Sequence, residues 1–507
     1  MRGCTIPYER VRHLSHAGAR HAARCSMKAV LGRLWHSPTA TTWGSLFVRL
    51  SAVLFVLPLV LVRFASADVV LWQMFSTLFV LALMLDFGLS PTFMRLVAFA
   101  RGGASLAAMG RMQQASAEPP SHATADDPAA LATVLSTLRW LYPRLAVAAT
   151  AMLALVGTAT LVRPISQVAD MPAAWLAWAA VLATTGIAVW GGAYAAALQG
   201  MDQVAVMRRW EVAMGLGQVA SSTAVLLLGG QLLALVLAYQ AWAVLGAFRN
   251  RWLMARLFPQ LLAHRPESHP EVMRVMWSPA WRSGLGVLMS YGVIQASGLV
   301  YAQIAPAAEV AAYLLALRLM MVLSQFCQAP FYSKLPRLVS LHAEGRRSEQ
   351  LRLAQRGMRL AYWVFVAGAL AVALAAQPLL QALGSRTLFV PPGVWALMAL
   401  AFFAERFGAM HLQLYSLTNH IVWHIANGVT GVVMVLLAAL AYPRMGAHAF
   451  PAAMLLAYAG FYCVYSVVHS RRAFNFSLAR FESVTAAPPA AALCAGLLLA
   501  FFLPIHL

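Results

Sequence analysis

Residues 307–331 read AAEVAAYLLALRLMMVLSQFCQAPF. An apolar run of this length spans the ~30 Å hydrocarbon core of a bilayer, and a single cation, Arg318, interrupts it near its middle. Twelve further windows of the same kind follow the chain: 44–64, 69–89, 138–162, 174–198, 212–228, 232–248, 284–303, 360–383, 394–414, 421–442, 447–468 and 490–505. With 61% hydrophobic and 10% charged residues and a mean hydropathy of +0.70, the composition excludes a soluble enzyme. The reading is an all-α polytopic membrane helix bundle of about 13 spans.

The net charge of +21 would suggest nucleic acid if it lay in one patch, but the basic residues fall in clusters between apolar runs. Cytoplasmic loops retain Lys and Arg. With the amino terminus inside, 29 of the 37 basic residues lie on or beside the cytoplasmic side and four on the other: Arg63, Arg163, Arg386 and Arg444. No nucleic-acid partner is expected, and anionic lipid accounts for the arginines of the loops.

Residues 1–43 form a basic tail, expected to be disordered and cytoplasmic, with 1–26 dispensable and Met27 a second candidate for the start. The stretch from Ala117 to Pro128 reads as a flexible insert, and Glu344–Arg359 as a charged amphipathic helix. Two copies of one plan are legible: an acid in an outer turn (Asp68; Glu309) precedes an inward span that ends in proline and arginine (Pro91 and Arg95; Pro336 and Arg337). This gives two six-helix halves around a central cavity, 44–248 and 284–468, joined by a cytoplasmic linker at 249–283. Residues 469–507 form a basic loop and one extra span, which leaves the carboxyl terminus outside.

Ionisable groups within spans cost roughly +2.5 to +3.5 kcal/mol each at the helix centre, so each needs a reason. Arg318, eleven residues into its span, should face a polar cavity or an acid. Arg406 lies in the inner half of its span with Glu405 beside it. Adjacent helical residues point about 100° apart, so the two are not expected to partner one another. Glu405 reads either as an ion-coupling carboxylate or as half of a structural pair with an arginine. Arg49 and Arg144 lie close enough to the inner ends of their spans to snorkel, or else to serve a ligand. Asp86, in the last turn of the second span, is opposed by the helix dipole and is expected to pair with Arg49, whereas Glu211 reads as a helix-start acid.

No catalytic set, phosphate loop or cofactor motif is present in the sequence, and none of the five cysteines has metal-ligand or disulfide spacing. His420 and His424 are four apart but lack the acid of a zinc motif, and His411 adds only a weak pH-sensitive cluster. Trp72, Trp175, Trp281, Trp395 and Trp423 fall near span ends, where an aromatic belt is the default.

The run Leu85-Asp86-Phe87-Gly88-Leu89-Ser90-Pro91 followed by Arg95, together with Leu198-Gln199-Gly200, Leu317-Arg318-Leu319, Pro336-Arg337 and Thr418-Asn419, resembles the bacterial polysaccharide and O-antigen flippases of the multidrug/oligosaccharidyl-lipid/polysaccharide exporter superfamily. The resemblance covers residues 40–470. It implies movement of a polyprenyl-diphosphate-linked oligosaccharide across the inner membrane, with Arg49 and Arg318 lining the cavity. It also implies membrane lipids and other polysaccharide assembly proteins as partners. A lone thirteenth span departs from relatives with twelve or fourteen. Two rivals stay open: a drug or cation exporter of the same superfamily, which would want acids in the cavity, and a membrane polymerase or ligase, which would want a large external loop.

Overall fold

The computed structural model describes residues 51–86, 88–101, 128–418 and 422–502. The tail, Met27, Trp43, Arg49, Asn419, His420 and most of the insert lie outside them, and with Arg49 the expected Arg49–Asp86 pair.

The protein is an all-α multi-pass membrane protein, and each apolar window meets a helix. In chain order these are α1 (Leu57–Arg63, after a π-turn at Ala52–Val56), α2 (Ser66–Met84), α3 (Ala129–Ile165), α4 (Met171–Gly200), α5 (Val204–Leu227), α6 (Leu232–Leu257), α7 (Pro270–Tyr301), α8 (Ala307–Cys327), α9 (Arg347–Ala382), α10 (Pro392–Ser416), α11 (Trp423–Met445), α12 (449–474) and α13 (Ala487–Phe502). Nine stretches among the described residues are long and apolar enough to cross a bilayer. The last of them, Trp423–Phe474, is twice the length a crossing needs. It folds back at Gly446, whose φ of +52° breaks the helix, so that α11 and α12 pack as a hairpin.

Helix α4 packs against α3 and α6, and α5 against α6; α10 packs against α12, and α13 lies on α9 and α10. Between these groups α2 meets α8. A close backbone approach occurs at Gly191 on α4, where a Cβ would fall 2.5 Å from that of Ala247 on α6; only glycine lets the two helices lie so near.

The ends opposite the basic loops are tied together. Gln303 at the end of α7 donates through Nε2 to the Thr160 carbonyl of α3 at 2.6 Å, and the Arg386 amide donates to the Leu61 carbonyl of α1 at 3.2 Å.

Three local expectations need correction. The charged stretch 344–359 is not a helix of its own: from Arg347 it is the first part of the 36-residue α9. Glu211 does not open its span, because α5 begins at Val204; two turns in, it accepts from Arg208 at 2.7 Å, an i,i+3 pair of the kind a helix brings together. Asp86 is not in a final helical turn. Helix α2 ends at Met84, Gly88 turns the chain at φ +72°, and the Asp86 carboxylate accepts from the amides of Gly88 at 3.0 Å and Ser90 at 3.2 Å. It therefore caps the short amphipathic helix Leu89–Arg101, where the dipole favours it. Asp86→Ala should cost about 1 kcal/mol while Asp86→Asn costs far less, since an amide oxygen also caps. Equal losses in thermal unfolding of the two variants would restore a charge-pair role.

Candidate functional site

Arg318 points from α8 toward the first group of helices. Its guanidinium carbon lies 4.8 Å from the centroid of the Trp72 ring on α2. The cleft there is lined by Ala52 and Val56, by Gln218, Val219 and Ser222 of α5, by Tyr239 of α6, and by Trp72 and Arg318.

Among the described residues Arg318 donates no hydrogen bond and meets no carboxylate. Ser222 Oγ is buried without a partner among them, and Gln218 turns its amide to the Tyr239 carbonyl at 3.3 Å. A desolvated cation–π contact contributes about 2 kcal/mol, roughly offsetting the insertion cost of the arginine without satisfying its five N–H donors. The site is thus a positive point in an apolar setting, with donors free for an anion.

Arg406 belongs to a different place. It is 5% exposed and donates to Ser324 Oγ at 2.5 Å and Gln328 Oε1 at 3.2 Å, both on or just beyond α8. It also pairs with Glu405 at 2.9 Å. The expectation that these neighbours would not partner fails because their backbone vectors diverge while their long side chains bend back into one dry space. There each is the counter-charge the other needs. Glu405 and Arg406 thus stand together as a buried ion pair.

Arg144 is not brought to either group. It is exposed, stacked 3.8 Å over its own Trp140 ring, and donates to the Trp140 carbonyl at 2.7 Å. Trp72, expected in the belt, is instead 3% exposed and stands beneath Arg318. Gln218, Ser222 and Tyr239 are functional candidates that sequence reasoning misses. The signal that points to them is the polar run Gln218, Ser221, Ser222 and Thr223 within a membrane-length helix, a composition that lipid would not tolerate on all sides.

A third cluster has the residue types of a nucleophilic triad. His411 bonds Ser470 Oγ at 2.8 Å and Glu482 at 3.0 Å, and Thr485 donates to Glu482 at 2.6 Å. His411 and Ser470 are wholly buried behind Phe407, Phe476 and Phe481. Enclosed in this way, the cluster joins α10, α12 and the segment before α13. His424, the described member of the histidine pair, packs against the Trp281 ring, and no metal-binding group exists among the described residues.

No protein-family model and no curated protein matches the chain. Solved structures do. The lipid II flippase MurJ in an inward closed conformation aligns at a TM-score of 0.60 and 8% identity, covering 91% of this chain and 98% of that one. An inward-facing multidrug resistance MATE family transporter of the MOP superfamily aligns at 0.54 and 14%, covering 87% and 100%. The MATE multidrug transporter DinF-BH gives 0.54 and 13%, covering 87% and 96%. Identities this low speak for the fold. The chain has the helical membrane-transporter fold that MurJ and the MATE transporters share.

Proposed function

We propose that the protein is a transporter that moves a polyprenyl-diphosphate-linked oligosaccharide, an O-antigen or exopolysaccharide repeat unit, across the bacterial cytoplasmic membrane by alternating access. The observation that carries this reading is Arg318, without a counter-charge among the described residues, in a cleft between the two groups of helices.

A diphosphate and its sugars do not cross hydrocarbon unaided, while the polyprenyl tail stays in it. Guanidinium matches phosphate geometry and keeps its charge at any physiological pH. Trp72 holds that guanidinium from one side and leaves its edge free. A cation exporter needs negative charge where its ligand sits, and no carboxylate lines this cleft among the described residues. That favours the lipid-linked anion over the drug-export reading.

A head group of several sugars enters the cleft once the helix groups part. The ties at Gln303–Thr160 and Arg386–Leu61 join helices on the side away from the basic loops, which favours entry from the basic-loop side, the one expected to face the cytoplasm.

The test is deletion of the gene in its own host. Lipid-linked oligosaccharide should accumulate in the inner leaflet and disappear again on complementation. Unchanged lipid-linked pools together with new sensitivity to cationic dyes would overturn the reading in favour of drug export.

A further inference from the structure

Helix α9 is longer than the membrane it crosses. Its 36 residues rise about 54 Å at 1.5 Å each, against a hydrocarbon core of ~30 Å. Counted from Ala382, at the end away from the basic loops, that core is used up at Trp363. This ring is 41% exposed and stands where an interfacial tryptophan is expected. The face that continues past it toward the basic loops carries Arg359, Arg356 and Arg352 at helical spacing, all three exposed. By helix rise Arg359 lies about 6 Å below Trp363, at the depth of the phospholipid head groups. Arg356, about 10 Å below, is within side-chain reach of them, and Arg352, about 16 Å below, is beyond them. Leu360 and Val364, exposed and apolar, adjoin Trp363 on the lipid side.

Three observations separate these cations from an ordinary solvated face. The acids nearby are already spent: Glu344 accepts from Arg337 at 3.3 Å and from Arg346 at 3.0 Å, and Glu349 from Arg346 at 2.6 Å. Lys334, Arg356 and Arg359 have no carboxylate or side-chain hydrogen-bond partner among the described residues. Next, the short helix Leu335–Ala343 folds back along the start of α9, where Gln350 donates to the Leu338 carbonyl at 3.0 Å. That fold lays Phe331 and Lys334 over Gly357, where a Cβ would meet them at 3.1 and 3.5 Å, and so brings Lys334, from the turn after α8, beside Arg356. Finally, the half-buried Lys334 ammonium is pushed below its ordinary range, first by burial and then by the Arg356 guanidinium. Two like charges set together without an acid disfavour one another, and an anion between them removes the conflict.

We propose that Lys334, Arg356 and Arg359 form a binding site for the head group of an anionic phospholipid. The phosphate meets Arg359 and bridges Lys334 and Arg356, while the acyl chains run past Trp363 along Leu360 and Val364. Charge and depth together select this occupant. The cations stand at the level of the head groups, directly below an apolar surface that faces lipid, and a molecule whose negative charge adjoins its hydrocarbon chains meets both at once. A zwitterionic lipid brings its own cation to the site and gains less. Because Lys334 follows α8 while Arg356 and Arg359 belong to α9, the bound head group ties the ends of two neighbouring helices. The site rests on the membrane fold and is independent of what the protein carries.

The test is native mass spectrometry of the full chain in detergent, titrated with phosphatidylglycerol and read at the first bound lipid. Each cation near a membrane surface strengthens the binding of anionic lipid about fivefold. Lys334→Gln with Arg356→Gln and Arg359→Gln should therefore weaken phosphatidylglycerol binding about a hundredfold. A charge-matched control, Arg337→Gln with Arg346→Gln and Arg352→Gln, removes three cations from the same segment and should bind as wild type does. Phosphatidylcholine should bind wild type weakly and respond to neither set of changes. Should the first variant fail to fold, Lys334→Arg with Arg356→Lys and Arg359→Lys keeps the charge and should keep the lipid. Loss of binding in that variant, equal losses in both glutamine variants, or no loss in the first overturns the proposal. So does displacement of the lipid by inorganic phosphate, which would make this a site for the free anion.

Discussion

Arg318→Ala is expected to abolish surface polysaccharide in a deletion strain while the protein stays in the membrane at near-normal abundance. The two halves of that expectation have one cause. Arg318 has no carboxylate or hydrogen-bond partner among the described residues, so its removal orphans no buried charge and exposes nothing that the fold depends on. What is lost is a pair of charge-assisted hydrogen bonds to an anion, about 1.5–3 kcal/mol each, or a hundredfold or more in turnover at about 1.4 kcal/mol per factor of ten. Arg318→Lys should retain part of the activity, since charge persists while the two-pronged geometry is lost. Full display from a normally abundant Arg318→Ala protein would show that the cleft is not the substrate path.

Arg406→Leu is expected to do the opposite, lowering stability before it touches transport. Arg406 is 5% exposed and joins Glu405, Ser324 and Gln328. Its removal leaves a buried carboxylate unpaired, at a cost of about 3–5 kcal/mol. The double change Glu405→Leu with Arg406→Leu removes both charges and should recover most of that loss, because apolar side chains pack where the pair stood. Thermal unfolding in detergent reads the difference. The deficit of the single variant should shrink in acid, where the lone carboxyl is neutral and its desolvation small. If single and double variants unfold alike at neutral pH, the pair contributes nothing.

The contrast between these arginines marks how far the sequence can be read. Depth is legible, because helix rise converts residue count into position across a bilayer, and both arginines stand out as charges inside apolar runs. Partners are not. Trp72 sits 246 residues before Arg318 in the chain, and nothing local distinguishes a tryptophan beneath a guanidinium from one in an aromatic belt. Glu405 and Arg406 fail in the other direction. A rule about backbone vectors does not bind two side chains long enough to evade it, in a space where the low dielectric rewards doing so.

The membrane windows fare better because apolar length belongs to one stretch of chain. Each window corresponds to a helix, including the short α13. Errors gather at the ends. Hydropathy puts Asp86 inside a helix that stops two residues earlier, and Glu211 at the start of one that begins seven residues before it. It falls off where helices meet water, whereas helices continue or stop according to caps and turns such as Gly88. The cleft is half legible: its cation is visible from charge alone, and its α5 wall from a polar run whose meaning requires the packing of α5 against α6 and the start of the first span.

The central claim is that this fold, with a positive cleft, moves a lipid-linked anion. It is tested most directly in proteoliposomes carrying a fluorescent polyprenyl-diphosphate oligosaccharide, scored by how much becomes inaccessible to an added glycosidase or quencher. The account predicts translocation by wild type, none by Arg318→Ala, and no movement of a cationic dye by either. Dye transport by wild type, with the lipid-linked oligosaccharide left where it was, would contradict it.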